Sequence, residues 1–227
     1  MNKIDTDLSE IGGFIEKWIP ECPNLNDKLL RPKIKSSYKQ FHALLIWGMA
    51  LHLAKPLSDD TKTYFKECLS DLSHAYMLNL CSFYKSSRSS LRSAVENGVR
   101  VLLLNKGTDI SGIVSVYDMF VEARSLYKGD GIIVDIINRL YKVYGDLCKS
   151  VHSSHVDYLS LAVPFSELST FDAKKFIEIN ENIREVSSCL NQCSFWIWDA
   201  HLPLVGHPNS DLVRDAVPRN VKRAKTA

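Results

Sequence analysis

The strongest candidate for chemistry is a charged run in which Arg92, Glu96 and Arg100 stand four residues apart. On an α-helix this spacing puts all three side chains on one face, so the carboxylate can pair with either guanidinium. An exposed pair of this kind contributes only about 0.3–0.5 kcal/mol. The face lies beside the apolar positions Val95 and Val99, and a partly buried Arg-Glu-Arg set is costly enough to indicate a site. A surface ion ladder and a functional site both stay open.

A second group lies further along the chain, where Tyr144, Cys148 and His152 recur every four residues. On a helix these side chains point the same way, and His152 falls near the predicted C-terminus, where the helix dipole favours an imidazolium. Such a histidine can act as a general acid or base. The alternative is a structural histidine that caps the helix end. His155 follows His152, but no carboxylate-rich segment accompanies the pair, so we predict no metal site.

The predicted helix that carries Arg92 begins in a serine-rich, cationic segment. Cations in a first helical turn oppose the helix macrodipole, which favours negative charge there. Free backbone amides, serine hydroxyls and guanidinium groups together could bind a phosphate. The alternative is a solvated polar start capped by serine. On the phosphate interpretation, the residues that would contact a nucleic acid are Lys85, Arg88, Arg92 and Arg100.

Helical periodicity dominates the sequence, and no segment alternates convincingly between apolar and polar residues. The apolar spacing predicts helices over 3–19 with a break at the glycine pair 12–13, and over 36–54, 58–83, 87–104, 110–127, 131–152, 172–199 and 209–216. We therefore predict an all-α fold, an up-and-down helical bundle with extra N- and C-terminal helices. Residues 1–217 are expected to form one domain, and the basic segment 218–227 a disordered tail.

The composition is typical of a globular domain, with 28 Lys and Arg against 26 Asp and Glu. The net charge of +2 argues against a protein that binds nucleic acid through bulk charge. Four of the cations and no acid lie in 218–227, so the rest of the chain carries −2. No secretory signal and no membrane-spanning run is apparent. We expect a cytoplasmic protein with no membrane contact, no cofactor, no metal, and cysteines that are reduced and buried.

Two of these segments together resemble the HEPN superfamily. The first segment reads Arg92-Ser93-Ala94-Val95-Glu96. The second reads Tyr144-x-x-Leu147-Cys148-x-x-Val151-His152, close to a family motif Tyr-x-x-Leu-Ser-x-x-Val-His. The resemblance covers roughly residues 86–155, and it is closest to HEPN-like proteins of bacterial defence and mobile-element loci.

The resemblance implies an up-and-down helical bundle that dimerises. Many family members are metal-independent endoribonucleases of toxin–antitoxin and abortive-infection systems, and others are non-catalytic modules that bind nucleotides or proteins. On the catalytic interpretation, His152 would transfer a proton at an RNA 2′-hydroxyl or leaving oxygen, and Arg92 would stabilise charge on the phosphate. Glu96 would orient either side chain, and Tyr144 would belong to the same site.

The chain departs from the active family pattern at one point. Active members carry an arginine shortly before the motif histidine, whereas this chain has Gly145, Asp146 and Leu147 there. Arg92 on the neighbouring helix could replace that arginine in space. Two functions stay open: an RNA-acting effector of a bacterial defence or toxin–antitoxin system, and a non-catalytic antitoxin, adaptor or regulator. We expect a homodimer, with RNA, a nucleotide or a protein from the same locus as further partners.

Overall fold

The computed structural model describes residues 3–18, 27–55, 57–113, 115–151 and 170–226. This part of the chain is an all-α helical bundle without a β-strand, as the sequence predicted. Its α-helices, in chain order, are α1 (Lys3–Trp18), α2 (Arg31–Leu53), α3 (Asp59–Leu80), α4 (Tyr84–Asn105), α5 (Val116–Leu126), α6 (Gly131–Val151), α7 (Ala173–Trp198), α8 (His207–Ala216) and α9 (Arg219–Thr226). A 3₁₀ helix (Asp199–Val205) joins α7 to α8.

Several predicted helix limits differ from the observed ones. Helix α2 begins at Arg31 rather than 36, and helix α3 ends at Leu80 rather than 83. Helix α5 begins at Val116 rather than 110, because the Ser115 hydroxyl accepts a hydrogen bond from the Asp118 amide and caps the helix there. Helix α4 begins at Tyr84 rather than 87, and no side chain caps its first turn. Helix α1 continues through the glycine pair 12–13, where the sequence predicted a break.

Helix α7 is the central element of the bundle. It packs against α2, α3, α4 and α6, and every residue from Val186 to Phe195 is buried, so this part of the helix is enclosed on all sides. A helix that is buried all round lies inside a core rather than on its surface. Helices α3 and α4 pack along each other, and α6 lies against both α4 and α7. Buried apolar side chains from this packing form one hydrophobic cluster.

Buried polar side chains fix the register between α2 and α7. The Ser37 hydroxyl donates to Asn180 Oδ1 at 2.7 Å, and Asn180 Nδ2 donates to the Lys33 carbonyl at 3.1 Å. Further along, Asn191 Nδ2 donates to the Gln40 carbonyl at 2.7 Å. Because an unpaired buried polar group is costly, these bonds favour one alignment of the two helices over any shifted one.

The basic tail forms helix α9, so the prediction that it is disordered is wrong. Val221 is buried against the bundle. Lys225 Nζ donates to the carbonyl oxygens of Phe195 and Trp196 and pairs with Asp199 at 2.7 Å. These acceptors lie at the C-terminal end of α7, where the helix dipole favours a cation. The charge count of the tail could not reveal this, because the docking depends on one apolar residue and on the end of another helix.

The cysteines of the described residues are free thiols, and all but Cys148 are buried. Burial raises the pKa of Cys189 to about 12, and it raises the pKa of Cys68 and Cys193 as well. These thiols therefore stay protonated and act as small apolar side chains. Across the described ranges, none of the helices combines the length and the apolar character needed to cross a membrane.

Candidate functional site

Arg92, Glu96 and Tyr144 meet where α4 packs against α6. Arg92 Nε donates a hydrogen bond to Glu96 Oε1 at 3.1 Å, and the Tyr144 phenol donates to the same oxygen at 3.2 Å. The guanidinium carbon of Arg92 lies 5.7 Å from the centre of the Tyr144 ring. One carboxylate oxygen thus joins a cation and a phenol from two helices. We call Arg92, Glu96, Arg100 and Tyr144 the Glu96 cluster.

The helical spacing of α4 explains why these side chains share one face. The neighbouring residues Val95 and Val99 are fully buried and hold the helix against the core. The cluster side chains lie at the edge of that core, with 26 % of Arg92 and 17 % of Glu96 exposed. The structure therefore favours the partly buried arrangement over the exposed ion ladder that the sequence left open.

Arg100 extends the Glu96 cluster towards α3. Its Nη2 atom lies 4.0 Å from Glu96 Oε2, and its Nη1 atom donates to Asn97 Oδ1 at 3.0 Å. Asn97 in turn donates to Asp71 Oδ2 on α3 at 2.8 Å. The guanidinium carbon of Arg100 also lies 6.0 Å from the centre of the Tyr64 ring. These contacts hold Arg100 beside the carboxylate rather than leaving it in open solvent.

The electrostatic surroundings keep the cluster positively charged. Burial, the hydrogen bond with Cys148 and the negative charge of Glu96 all raise the pKa of Tyr144, so its phenol stays protonated and donates. Burial disfavours the charged form of Arg92, but the hydrogen bond to Glu96 and the electrostatic interactions with Tyr144, Glu96 and Cys148 together outweigh burial and raise the pKa of Arg92. With one carboxylate and two guanidinium groups, the cluster carries one excess positive charge.

An aromatic wall borders the cluster on the side of α5. The Phe120 ring lies 5.8 Å from that of Tyr144 and 5.0 Å from that of Tyr141. The Arg124 guanidinium carbon lies 4.7 Å from the centre of the Tyr141 ring. Sequence reasoning missed this wall. The spacing of three residues between Tyr141 and Tyr144 was the one available signal, since it puts both rings on one side of α6.

The cationic start of α4 does not form a single phosphate-facing surface. Arg88 Nη2 pairs with Glu178 Oε1 of α7 at 3.1 Å, and only 14 % of the Arg88 side chain is exposed. The Ser87 hydroxyl is buried and donates to the Ala75 carbonyl at 2.7 Å. Lys85 is exposed. Of the four predicted nucleic-acid contacts, only Arg92 and Arg100 lie beside the Glu96 carboxylate.

His152, to which the sequence assigned proton transfer, lies outside the described residues, as does the pair that it forms with His155. Helix α6 is described as far as Val151. Within the described ranges, no group of three or more His, Cys, Asp and Glu side chains could hold a metal ion. Three of the four predicted catalytic residues thus converge, and the fourth stays a prediction.

Two cavities lie away from the Glu96 cluster. An apolar groove of about 870 Å³ separates α2 from α3, with Met49 and Leu69 in its walls. A smaller polar pocket of about 300 Å³ lies at the C-terminal end of α4 and is lined by Lys106, Asp130 and Trp196. The Trp196 indole N–H donates to the Asp130 carboxylate at the edge of this pocket.

No protein-family model matches the chain, and no curated protein or solved structure matches it. The Glu96 cluster and the two sequence segments that supply it are therefore the observations that bear on function.

Proposed function

We propose that this chain is a HEPN-like effector of a bacterial defence or toxin–antitoxin system that binds and cleaves RNA through Arg92, Glu96, Tyr144 and His152. One observation carries the proposal. The Tyr144 phenol donates to Glu96 across 48 positions of sequence. The two segments that resemble the family are thereby in direct contact. Residues of a shared site must converge in this way, whereas chance similarities in two helices need not.

Arg92 is proposed to bind an RNA phosphate. A guanidinium presents planar donors that match a phosphate, and it keeps its charge at any physiological pH. Glu96 fixes the orientation of this group through its hydrogen bond with Nε. The excess positive charge of the cluster favours a phosphodiester over a neutral ligand. Tyr144, whose raised pKa keeps the phenol protonated, donates its one O–H to the same Glu96 oxygen and so helps to hold the carboxylate that orients Arg92.

His152 is proposed to transfer protons during a cleavage that needs no metal. A base takes the proton of the RNA 2′-hydroxyl, and the 2′-oxygen attacks the neighbouring phosphorus. An acid then protonates the departing 5′-oxygen, which leaves a 2′,3′-cyclic phosphate and a 5′-hydroxyl. A homodimer would supply two copies of His152, one for each role. Arg92 stabilises the charge that develops on the phosphate.

A non-catalytic role as an antitoxin, adaptor or regulator is the second candidate. The segment just before His152 favours this role, because active members of the HEPN superfamily carry an arginine there. Here Leu147 is buried, and Asp146 pairs with Lys149 at 2.8 Å. No guanidinium is contributed from these positions. A module of this kind would bind RNA, a nucleotide or a protein at the Glu96 cluster without cleaving a bond.

The test uses the purified full chain and a fluorescein-labelled single-stranded RNA in the presence of EDTA. Cleavage and affinity are measured for the wild type, His152→Ala and Arg92→Ala. Arg139→Ala is the matched control, because it removes an arginine from another partly buried ion pair, with Glu185 at 2.8 Å. We expect His152→Ala and Arg92→Ala to lower the cleavage rate by about 100-fold or more, and Arg139→Ala to cleave like the wild type.

Other outcomes separate the two candidates. RNA binding that depends on Arg92, without cleavage by any variant, supports the non-catalytic module. Wild-type protein that neither binds nor cleaves RNA contradicts both RNA functions. Equal effects of Arg92→Ala and Arg139→Ala would show that the Glu96 cluster has no special part in RNA recognition.

A further inference from the structure

The groove between α2 and α3 shares no residue with the Glu96 cluster. Helix α2 lines it with Leu45, Met49 and Leu53, which follow one another at intervals of one turn. Helix α3 contributes Phe65 and Leu69. Met49 is 48 % exposed and Leu53 is 54 % exposed. Large apolar side chains that are exposed together in a concave surface mark a site of association.

The shape of the groove suits a helix. From Leu45 to Leu53 the α2 wall rises by about 12 Å, which equals a little more than two helical turns. A helix that docks in such a groove inserts side chains from positions i, i+3 or i+4, and i+7. Gly48 helps to form the floor, because a Cβ there would lie 2.6 Å from Leu69 Cδ1. The absence of that Cβ lets Leu69 pack directly against α2.

The α3 wall of the groove is basic. Lys62 and Lys66 line it one turn apart, and neither forms an ion pair with another described residue. Asp59, in the first turn of α3, is the one acidic residue among those that line the groove. Together, the two lysines and Asp59 give the lining one excess positive charge. An acidic ligand would therefore gain favourable electrostatic interactions along one edge.

We propose that this groove binds an amphipathic helix of a partner protein. The apolar side chains of that helix fill the groove beside Met49 and Leu53, and its acidic side chains lie against Lys62 and Lys66. A flat membrane surface would reach Met49 and Leu53 but not the buried Phe65 on the floor. This proposal is independent of the RNA function, since the two sites share no residue.

The direct test measures binding of three fluorescein-labelled synthetic helical peptides to the full chain by fluorescence anisotropy. The first peptide carries leucines at i, i+4 and i+7 with flanking glutamates. The second keeps the leucines but has lysines in place of the glutamates, and the third keeps the glutamates but scrambles the leucines. We expect the first peptide to bind at least about tenfold more tightly than the other two.

Methyl NMR of the methionine side chains locates the binding site. The glutamate peptide should shift the Met49 signal and leave the signals of Met77 and Met119 in place. Met119 is a buried residue of α5, and Met77 belongs to α3 outside the groove lining. Shifts at Met119 without a shift at Met49 would place the peptide elsewhere and overturn the proposal.

Surface variants provide the controls. Leu53→Glu should weaken binding of the glutamate peptide by at least about tenfold. Leu204→Glu, at a residue that is 49 % exposed and lies outside the groove, should leave this binding unchanged. Reversing both lysines, Lys62→Glu with Lys66→Glu, should transfer the preference to the lysine peptide. RNA binding and cleavage should be unchanged in Leu53→Glu, so the two proposals can fail separately.

Four further results would overturn the proposal. The first two are that the glutamate peptide does not bind, and that the glutamate and lysine peptides bind with equal affinity. The other two are that the chain binds phosphatidylglycerol vesicles but not the peptide, and that the chain self-associates in a way that Leu53→Glu abolishes. The last two would assign the groove to a membrane or to a second copy of the chain.

Discussion

Glu96 on α4 accepts a hydrogen bond from the Tyr144 phenol on α6 at 3.2 Å. The same carboxylate oxygen accepts from Arg92 Nε at 3.1 Å. Because 17 % of the Glu96 side chain is exposed, water can replace a lost donor only in part. Tyr144 therefore contributes both to the packing of α6 on α4 and to the orientation of the Arg92 guanidinium.

Replacing Tyr144 by Phe should remove this hydrogen bond and keep the ring in contact with Phe120. We expect Tyr144→Phe to lower the free energy of unfolding by about 0.5–1.5 kcal/mol in urea denaturation. It should also slow RNA cleavage, since Arg92 loses part of its support. Tyr141→Phe is the matched control. It lies in the same aromatic wall and is 37 % exposed, so its stability and cleavage should stay close to the wild type.

Replacing each of two glycines by alanine should change the stability of the fold in opposite directions. A Cβ at Gly98 would lie 2.7 Å from Leu190 Cδ2, in the buried contact of α4 with α7. We expect Gly98→Ala to destabilise the fold by about 1–3 kcal/mol. A Cβ at Gly145 on α6 would meet no atom within 4 Å, so Gly145→Ala should stabilise the fold by about 0.5–1 kcal/mol. Thermal unfolding measures the stability of each variant, and a Gly98→Ala variant as stable as the wild type or more stable would contradict the close approach of α4 and α7.

His42 should make the fold less stable in mild acid. Burial lowers the pKa of His42, and the positive charge of Lys3 lowers it further, while Asp7, 3.9 Å from Nε2, partly offsets both. The unfolded chain, in which this pKa is about 6.5, therefore binds more protons than the folded chain as the pH falls below that value. Stability should decrease on acidification until the lower pKa of the folded state is passed.

Urea denaturation between about pH 5 and pH 7 measures this dependence. The decrease should be smaller in His42→Gln, which cannot be protonated, than in the wild type. His74→Gln, at an exposed position on α3, should retain the full decrease. Identical pH profiles for the wild type and His42→Gln would contradict the expected role of His42.

Lys225 should hold α9 against the end of α7. It donates to the carbonyls of Phe195 and Trp196 and pairs with Asp199. We expect Lys225→Ala to lower the free energy of unfolding by about 1–2 kcal/mol. Hydrogen exchange should also accelerate in α9 and in the last turn of α7. Arg219→Ala, at an exposed position of the same helix, should leave the free energy of unfolding and the hydrogen exchange unchanged. Equal hydrogen exchange in Lys225→Ala and Arg219→Ala would count against the docking of α9.

The sequence predicted what depends on local spacing. The four-residue interval between Arg92 and Glu96 placed them in contact, because an α-helix fixes the geometry of such a pair. The all-α class and most helix ranges followed from apolar periodicity in the same way. The contact of Glu96 with Tyr144 could be anticipated only through the family resemblance, since the packing of α6 on α4 brings it about.

Interactions between distant segments were not predictable from spacing. Arg88 was grouped with Arg92 as a phosphate ligand, but it pairs with Glu178, which lies 90 positions away on α7. The aromatic wall depends on how α5 meets α6, so Phe120 gave no signal in the sequence. The tail was misjudged because charge dominates its composition, whereas the burial of Val221 decides its conformation.

The salt dependence of RNA binding by Arg92→Ala tests the central claim most directly, because it detects a phosphate contact whether or not the protein cleaves RNA. For a single strand, each phosphate contact contributes a slope of about −0.7 to the plot of log affinity against log salt concentration. The Glu96 cluster predicts that Arg92→Ala loses affinity and that its slope is shallower by about 0.7, while Arg139→Ala keeps the wild-type slope. Equal slopes for the wild type and Arg92→Ala would contradict a role of Arg92 in binding the RNA phosphate.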